Sequence, residues 1–341
     1  MLLPPLPETD PTSLYRHRDG LYATDLLTAA LVEFDLFTWL DQHPSDEETI
    51  CRSMNVTGRP TDVMLTLFVA MGLVRREGRT YRVTDVAREH LVSTSPWFLG
   101  PYYASFRERP VCKDFVTVLR TGKPRNWASA PAQQEWIRAM ENPDFARQFT
   151  AAMDCRGLYL GRAVARAIDL SRHRHVLDIA GGSGIYSCCL VEHNRHLRAT
   201  VLERPPVDAV AARAIGERGF SDRVSVHAAD MFAGPLPDGF DVHLFSNVLH
   251  DWDVDVVTKL LSASERALPS GGLIAIHDAH LNEDKSGPLP VAAYSSLLMH
   301  SSEGRCYGVS EMRALLLETG FSDVRFVPTL ADRSVVTAVK R

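Results

Sequence analysis

Residues 19–40, "DGLYATDLLTAALVEFDLFTWL", carry Leu26, Leu27, Ala30, Leu31, Phe34 and Phe37 at helical spacing. That period predicts one continuous buried stripe, which needs a partner surface. Residues 45–92, "SDEETICRSMNVTGRPTDVMLTLFVAMGLVRREGRTYRVTDVAREHLV", then read as a capped short helix, a turn at residues 58–60, a second helix ending near Gly72 and a hairpin turning at Glu77, Gly78 and Arg79. This order of elements is a winged-helix pattern. Its second helix, "TDVMLTLFVAMG", offers no Arg, Lys, Asn or Gln to meet base edges or phosphates, so dimerisation or a scaffold role fits better than DNA binding.

Residues 95–131 follow, rich in aromatics and interrupted by Pro and Gly, which suits either the wall of a pocket or plain packing. Two helical stretches lead from Gln133 to Leu170. From His175 onward the period changes. The short runs "HVLDIA", "RATVLER", "VSVHAADM", "FDVHLFSNVL" and "GGLIAIHDA" alternate with helical segments, the signature of parallel strands joined by crossover helices. A last helix, "SEMRALLLETGF", precedes a terminal hairpin built from "VRFVPTL" and "SVVTAVK". The expected fold is α/β, a Rossmann-like doubly wound sheet behind a mainly helical, winged-helix-like N-terminal domain. Its boundaries fall at residues 1–132 for the N-terminal domain, 133–170 for a helical linker contributing to the substrate pocket, and 171–341 for the catalytic domain.

Composition narrows the choice of partner. A formal net charge of -5 over 341 residues does not suit a binder of phosphate backbones, which needs a basic face, and a small molecule is the more natural ligand. No apolar run is long enough to cross a bilayer, and "MLLPPLPETD" lacks the basic start and apolar core of a signal peptide. A cytoplasmic protein with no membrane partner is expected. The six cysteines form no CxxC pair and read as reduced, mostly buried thiols.

"VLDIAGGSGIYS" runs strand, glycine-rich turn, helix, so Gly181, Gly182 and Gly184 let a ligand approach the backbone at a helix N-terminus. No Lys follows the last Gly, which disfavours a nucleotide-triphosphate loop, and the GxGxxG spacing is not met. Glu203 ends the second strand twenty-one positions beyond Gly182, where a carboxylate accepts hydrogen bonds from both ribose hydroxyls. Asp230 and Met231, in "AADMF", would face an adenine amino group and ring.

The motifs "LDIAGGSG", "VLERPPV", "AADMF", "NVLHDWD" and "LPSGGLIAIHD", in this order and spacing, resemble the two-domain S-adenosylmethionine-dependent methyltransferases typified by plant caffeate O-methyltransferase and their bacterial antibiotic-pathway relatives. The likeness covers nearly the whole chain. It implies a class I methyltransferase sheet, a homodimer formed through the N-terminal domain, and S-adenosylmethionine as cofactor. It also implies that Asp178, Gly181, Gly182 and Gly184 belong to the cofactor site, with Gly181 and Gly182 along the methionine part, Glu203 at the ribose, and Asp230 and Met231 at the adenine. Ser246 stands where plant members have a cofactor-contacting Lys, so that contact is made differently here.

The resemblance gives His250 the role of general base, with Asp251 beside it. An imidazole of near-neutral pKa is well suited to taking a hydroxyl proton. Plant members flank this His with two Glu residues; His277 and Cys306 occupy those positions here, leaving Asp251, Asp278 or Glu303 to orient the ring. A second reading uses His250, Asp251 and His300 as ligands of a divalent zinc or iron ion that assists C-methylation of a 2-oxo acid or another activated carbon. The acceptor is expected at the C-terminal edge of the sheet, among Trp97, Tyr102, Tyr103, Phe106, Met153, Trp252, Met299 and His300, whose character suits an aromatic natural-product acceptor. Arg107, Arg109 or Arg125 would meet a carboxylate on it. Outside methyl transfer, the alternatives are a hydroxylase or pericyclase that keeps the cofactor as an aid, and a winged-helix regulator.

Overall fold

The computed structural model describes residues 3–127, 130–131 and 139–341. Its contacts divide the chain into two compact units. A mainly helical unit comprises Leu14–Gln133 and Leu281–Gly308; a sheet unit comprises Met1–Ser13, Gln134–His280 and Val309–Arg341.

In the helical unit the first apolar stripe is not one helix. Helix Ala23–Thr28 widens into a π-helical turn over Ala29–Glu33, and the chain breaks at Asp35, which takes a left-handed φ of 46° before helix Leu36–Gln42. Aspartate tolerates that conformation better than a branched side chain would. Leu26, Ala30, Leu31, Leu36 and Phe37 are all buried across the break, so the apolar period survives although the helix does not.

Helix Glu47–Met54 starts under an Asp46 cap whose carboxylate accepts the Thr49 N–H at 2.9 Å, and it ends at Asn55 with φ 51°. The second helix, Gly58–Ala70, begins immediately afterwards with Pro60 in its first turn. The turn therefore lies at residues 55–57 rather than 58–60, because proline is compatible with a helix start, where its missing N–H costs nothing. Strands β1 (Val74–Glu77) and β2 (Thr80–Val83) form the expected hairpin, with Val74 opposite Val83. Later in the unit, β3 (Asn126–Trp127) pairs with β4 (Ala130–Pro131).

Residues 281–308 fall within the sequence boundaries of the catalytic domain, yet they pack with the helical unit. Helix Leu289–Ser301, "LPVAAYSSLLMHS", is apolar nearly all round, and a helix of that composition is stable only when buried. Its exit is tied down by Arg59, whose guanidinium donates to the carbonyls of Ser302 at 3.1 Å, Gly304 at 2.8 Å and Gly122 at 2.7 Å. Lys285 and Arg305 both pair with Asp62 on helix Gly58–Ala70.

The sheet unit contains helix Pro143–Ala167; the first of the two helical stretches expected between Gln133 and Leu170 falls largely outside the described residues. Seven strands follow: β5 (His175–Ile179), β6 (Arg198–Glu203), β7 (Val224–Ala228), β8 (Val242–Ser246), β9 (Leu273–Asp278), β10 (Phe321–Pro328) and β11 (Ser334–Lys340). They lie in the order β10-β11-β9-β8-β5-β6-β7, parallel from β9 through β7, with β11 antiparallel to both β9 and β10. Burial along β9 is continuous rather than alternating, which is what a sheet covered on both faces requires. The chain order reverses between β5 and β8, and that crevice at the carboxyl ends is where ligands bind open α/β sheets. Among the described residues no helix is long and apolar enough to cross a membrane.

Candidate active site

The loop after β5 is built for close approach to its backbone. A Cβ at Gly181 would stand 2.6 Å from the Asp178 carboxyl carbon, whereas Gly182, at φ 57°, faces open space. Its N–H donates to Glu203 Oε2 at 3.0 Å across from β5 to the end of β6, and the Arg204 N–H donates to Oε1 at 2.9 Å. Glu203 thus braces the loop while each oxygen keeps a lone pair for a further donor. Burial raises its pKa, against the two N–H donors that favour the charged form.

Asp178 lies wholly inside. Burial pushes its pKa up to about 7; Ser187 donates to Oδ2 at 2.8 Å, and among the described residues Oδ1 has no hydrogen-bond partner. Ser246 Oγ and Asn247 Oδ1, at the end of β8 across the switch point, are likewise buried without one. Asp178 lies in β5, and Ser246 and Asn247 stand at the end of its neighbour β8; a polar ligand at these strand ends would offset the cost of buried acceptors left without partners. Asp230, after β7, holds the Phe232 N–H at 2.9 Å and lies 3.4 Å from Arg204 Nε; Met231 beside it is half-buried. Carboxylates with spare lone pairs and a glycine gap are a set that a nucleoside with an amino-acid tail can fill, so these residues fit S-adenosylmethionine.

His250 sits on the short 3-10 turn Leu249–Asp251 that follows β8. It is buried, and its Nδ1–H donates to Asp278 Oδ1 at 2.5 Å. Asp278 closes β9; the registration of Ser246 opposite His277 brings it beside the turn, and its Oδ1 also accepts the Ala279 N–H at 2.8 Å. Asp251 is more distant, with Oδ1 3.7 Å from His250 Nε2 and a side chain 45% exposed. Burial alone would lower the imidazole pKa, but the charges of Asp278 and Asp251 override it and the pKa is raised; the same pairing holds Asp278 below the usual carboxylate range. An imidazole fixed through Nδ1 presents Nε2 as its proton acceptor.

Of the three orienting carboxylates the sequence offered, Asp278 is the one hydrogen-bonded to His250; Glu303 and Cys306 belong to the helical unit. His277 is buried in β9, its pKa lowered by burial to about 3, with Nε2 3.4 Å from Thr329 Oγ1. The metal set is not assembled: among the described residues no three His, Cys, Asp or Glu side chains form a group able to hold an ion. His250 and Asp251 belong to the sheet unit, whereas His300 belongs to the helical unit, where its Nε2 bonds Asp114 at 3.1 Å.

The expected wall residues divide between the units. Trp97 and Phe106 are exposed, Tyr103 is half-buried, and Met299 and His300 are buried in the helical unit; Met153 and Trp252 are half-buried in the sheet unit. Trp252 stacks edge-on against Phe232 at 4.8 Å. The three arginines expected to meet a carboxylate already have protein partners: Arg107 with Glu33, Arg109 bidentate with the buried Asp25, Arg125 with Asp114.

Sequence reading missed Asn247. It takes φ 56°, donates from Nδ2 to the Tyr186 hydroxyl at 3.0 Å, and its N–H reaches the His277 carbonyl at 2.8 Å, so it turns the chain out of β8 toward His250. The only signal was its place between a strand and "VLHD", where Asn tolerates a left-handed conformation.

Comparison with known proteins follows the same direction as this geometry. Residues 113–322 match the model of the O-methyltransferase domain family. The chain is 33% identical to 3-hydroxy-5-methyl-1-naphthoate 3-O-methyltransferase of Streptomyces sahachiroi over 93% of its length and 91% of the relative's. A crystal structure of an O-methyltransferase family 2 protein from Planctomyces limnophilus, in complex with apigenin, superposes with a TM-score of 0.91 at 31% identity over 100% of both chains. Human N-acetylserotonin methyltransferase in complex with SAM superposes with a TM-score of 0.61 at 25% identity, covering 96% of each chain. With its doubly wound sheet and these relatives, the chain belongs to the S-adenosylmethionine-dependent O-methyltransferases and transfers methyl groups to small-molecule acceptors.

Proposed function

We propose that the protein methylates a hydroxyl of an aromatic acceptor, with His250 as the general base and Asp278 as the group that orients it. The observation that carries this reading is the buried His250–Asp278 hydrogen bond of 2.5 Å at the carboxyl edge of the sheet. Gly181, Gly182 and Gly184 with Asp178 bind the amino-acid portion of S-adenosylmethionine, Glu203 the ribose, Asp230 and Met231 the adenine, and Ser246 the crevice between them. Bound there, the cofactor supplies a methyl group on a positively charged sulfur. His250 Nε2 takes the acceptor's proton as the oxygen becomes nucleophilic, and the Asp278 carboxylate stabilises the imidazolium that results. Met153 and Trp252 supply apolar surface for the acceptor from the sheet unit. The aromatic class rests on the relatives, one named for a hydroxynaphthoate and another crystallised with apigenin.

The finer assignments belong to the same proposal. The helix–helix–hairpin of residues 47–83 is a winged-helix-like element whose unit forms a homodimer. Leu14, Leu21, Trp97 and Tyr102 of that unit are each more than half exposed, and apolar surface of this kind calls for a partner. None of the six cysteines is in a disulfide, which suits a reducing cytoplasm.

The test is transfer of a labelled methyl group from S-adenosylmethionine to a set of phenols and their methoxy analogues. Label on the free phenols alone, stable to chelator, is the expected result. Label on carbon or nitrogen, or loss of activity with chelator, would overturn the oxygen-acceptor reading.

A further inference from the structure

The glycine loop is held from behind by a residue outside the nucleotide-binding motifs. Ser183, buried between Gly182 and Gly184, donates its hydroxyl to Asp154 Oδ1. The other oxygen, Oδ2, accepts from Arg218 Nη2 at 2.6 Å. Asp154 lies in the middle of helix Pro143–Ala167 and Arg218 caps helix Val207–Glu217, so one carboxylate joins two helices to the loop. Aspartate is a poor helix former away from the N-terminus, and an acidic group only 20% exposed needs a reason to be there.

The helix reaches the loop because it packs unusually close. Thr150, Asp154, Gly157 and Gly161 recur on one face. A Cβ at Gly157 would meet Ile185 at 2.4 Å and one at Gly161 would meet Cys189 at 3.0 Å, both on helix Ile185–His193, which the loop begins. The two glycines therefore set the depth of contact, and that depth brings Asp154 within hydrogen-bond reach of Ser183. With Glu203 holding the Gly182 N–H from the other side, the loop is gripped by two carboxylates, one on each flank.

We infer that Asp154 is a positioning residue for the methyl donor, acting through Ser183 to hold the loop in the conformation that accepts S-adenosylmethionine. This rests on the cofactor assignment above. A loop fixed before binding loses less entropy when the ligand arrives, so the clamp acts on donor affinity and leaves proton transfer at His250 alone.

The test compares Asp154→Ala, Asp154→Asn, Ser183→Ala and the double variant Asp154→Ala/Ser183→Ala in the full-length protein, with calorimetric binding of S-adenosylhomocysteine as the main readout. Asp154→Ala is expected to weaken binding about tenfold and to raise the donor KM in step, with kcat at saturating donor reduced far less and the pH profile unmoved. The double variant is expected to be no weaker than Asp154→Ala, since both changes break one link. Asp154→Asn, which can still accept from Ser183 but loses the Arg218 pairing, should fall between. Binding within twofold of wild type in Asp154→Ala, alongside a lower Tm, would reduce the residue to a structural role and overturn the inference. Additive effects of the two single changes would also overturn it. If the wild-type protein itself binds no S-adenosylhomocysteine, the cofactor assignment fails rather than the clamp.

Discussion

A buried histidine of each unit bonds an aspartate, and the two pairs are wired differently. In the sheet unit His250 engages Asp278 Oδ1 through Nδ1 at 2.5 Å, and the same oxygen accepts the neutral Ala279 N–H. In the helical unit His300 engages Asp114 through Nε2 at 3.1 Å, and the Arg125 guanidinium takes the second oxygen at 3.2 Å while the Arg125 N–H holds the His300 carbonyl at 2.7 Å. His300 is also packed edge-on between Tyr22 at 5.0 Å and Phe115 at 5.5 Å. A carboxylate already neutralised by arginine is a fixed acceptor in a packing cluster, whereas one whose nearest cationic candidate is the imidazole drives that ring toward its charged form. The residue pair alone does not make a base; the remaining company of the carboxylate decides.

The largest effect expected from this contrast is at His250. His250→Ala should lower kcat about 10³-fold while S-adenosylhomocysteine binding, measured by calorimetry, stays within about twofold. Turnover near wild type would remove His250 from the mechanism. Next is Asp278→Asn, which keeps the shape but not the charge and should cost about 10²-fold in kcat/KM. Its pH dependence has a definite sign. The working form of His250 is neutral, so kcat/KM rises as pH passes upward through its pKa, and in the wild type that pKa lies above the ordinary imidazole value because of Asp278 and Asp251. Without the Asp278 charge, burial, which disfavours the imidazolium, dominates, and the acid limb should move to lower pH. A limb that stays in place would mean that Asp278 does not tune this ring.

Much of the sheet unit was legible in the sequence because its strands are continuous apolar runs and its site residues follow strand ends directly. Asp178, the glycines, Glu203, Asp230, Ser246 and His250 all fall within a few residues of where a run of β-branched or apolar residues stops. The choice of Asp278 over Asp251 or Glu303 was not legible. It depends on β8 and β9 being neighbours with Ser246 opposite His277, a long-range register that no local spacing encodes. Asp154 was invisible for a related reason, since its meaning comes from two glycines that let one helix sink onto another. The helical unit was harder still. The stripe of residues 19–40 keeps its period through the break at Asp35, and residues 281–308 return to that unit through Arg59 and Asp62, which carry no motif.

The smallest expected effect sharpens the contrast from the other side. His300→Phe preserves the ring packing against Tyr22 and Phe115 and removes the bond to Asp114, whose other oxygen still has Arg125. The loss should appear as a lower stability of about 1 kcal/mol by denaturant titration, the usual worth of one hydrogen bond whose remaining acceptor stays solvated or paired. If His300 only packs and bonds within its unit, the acid limb of kcat/KM should stay where the wild type has it, and kcat should fall by less than about tenfold. A loss of turnover as large as that of His250→Ala, with a displaced acid limb, would put His300 in the proton-transfer machinery. The arginine beside Asp114 would then no longer mark the difference between the two pairs.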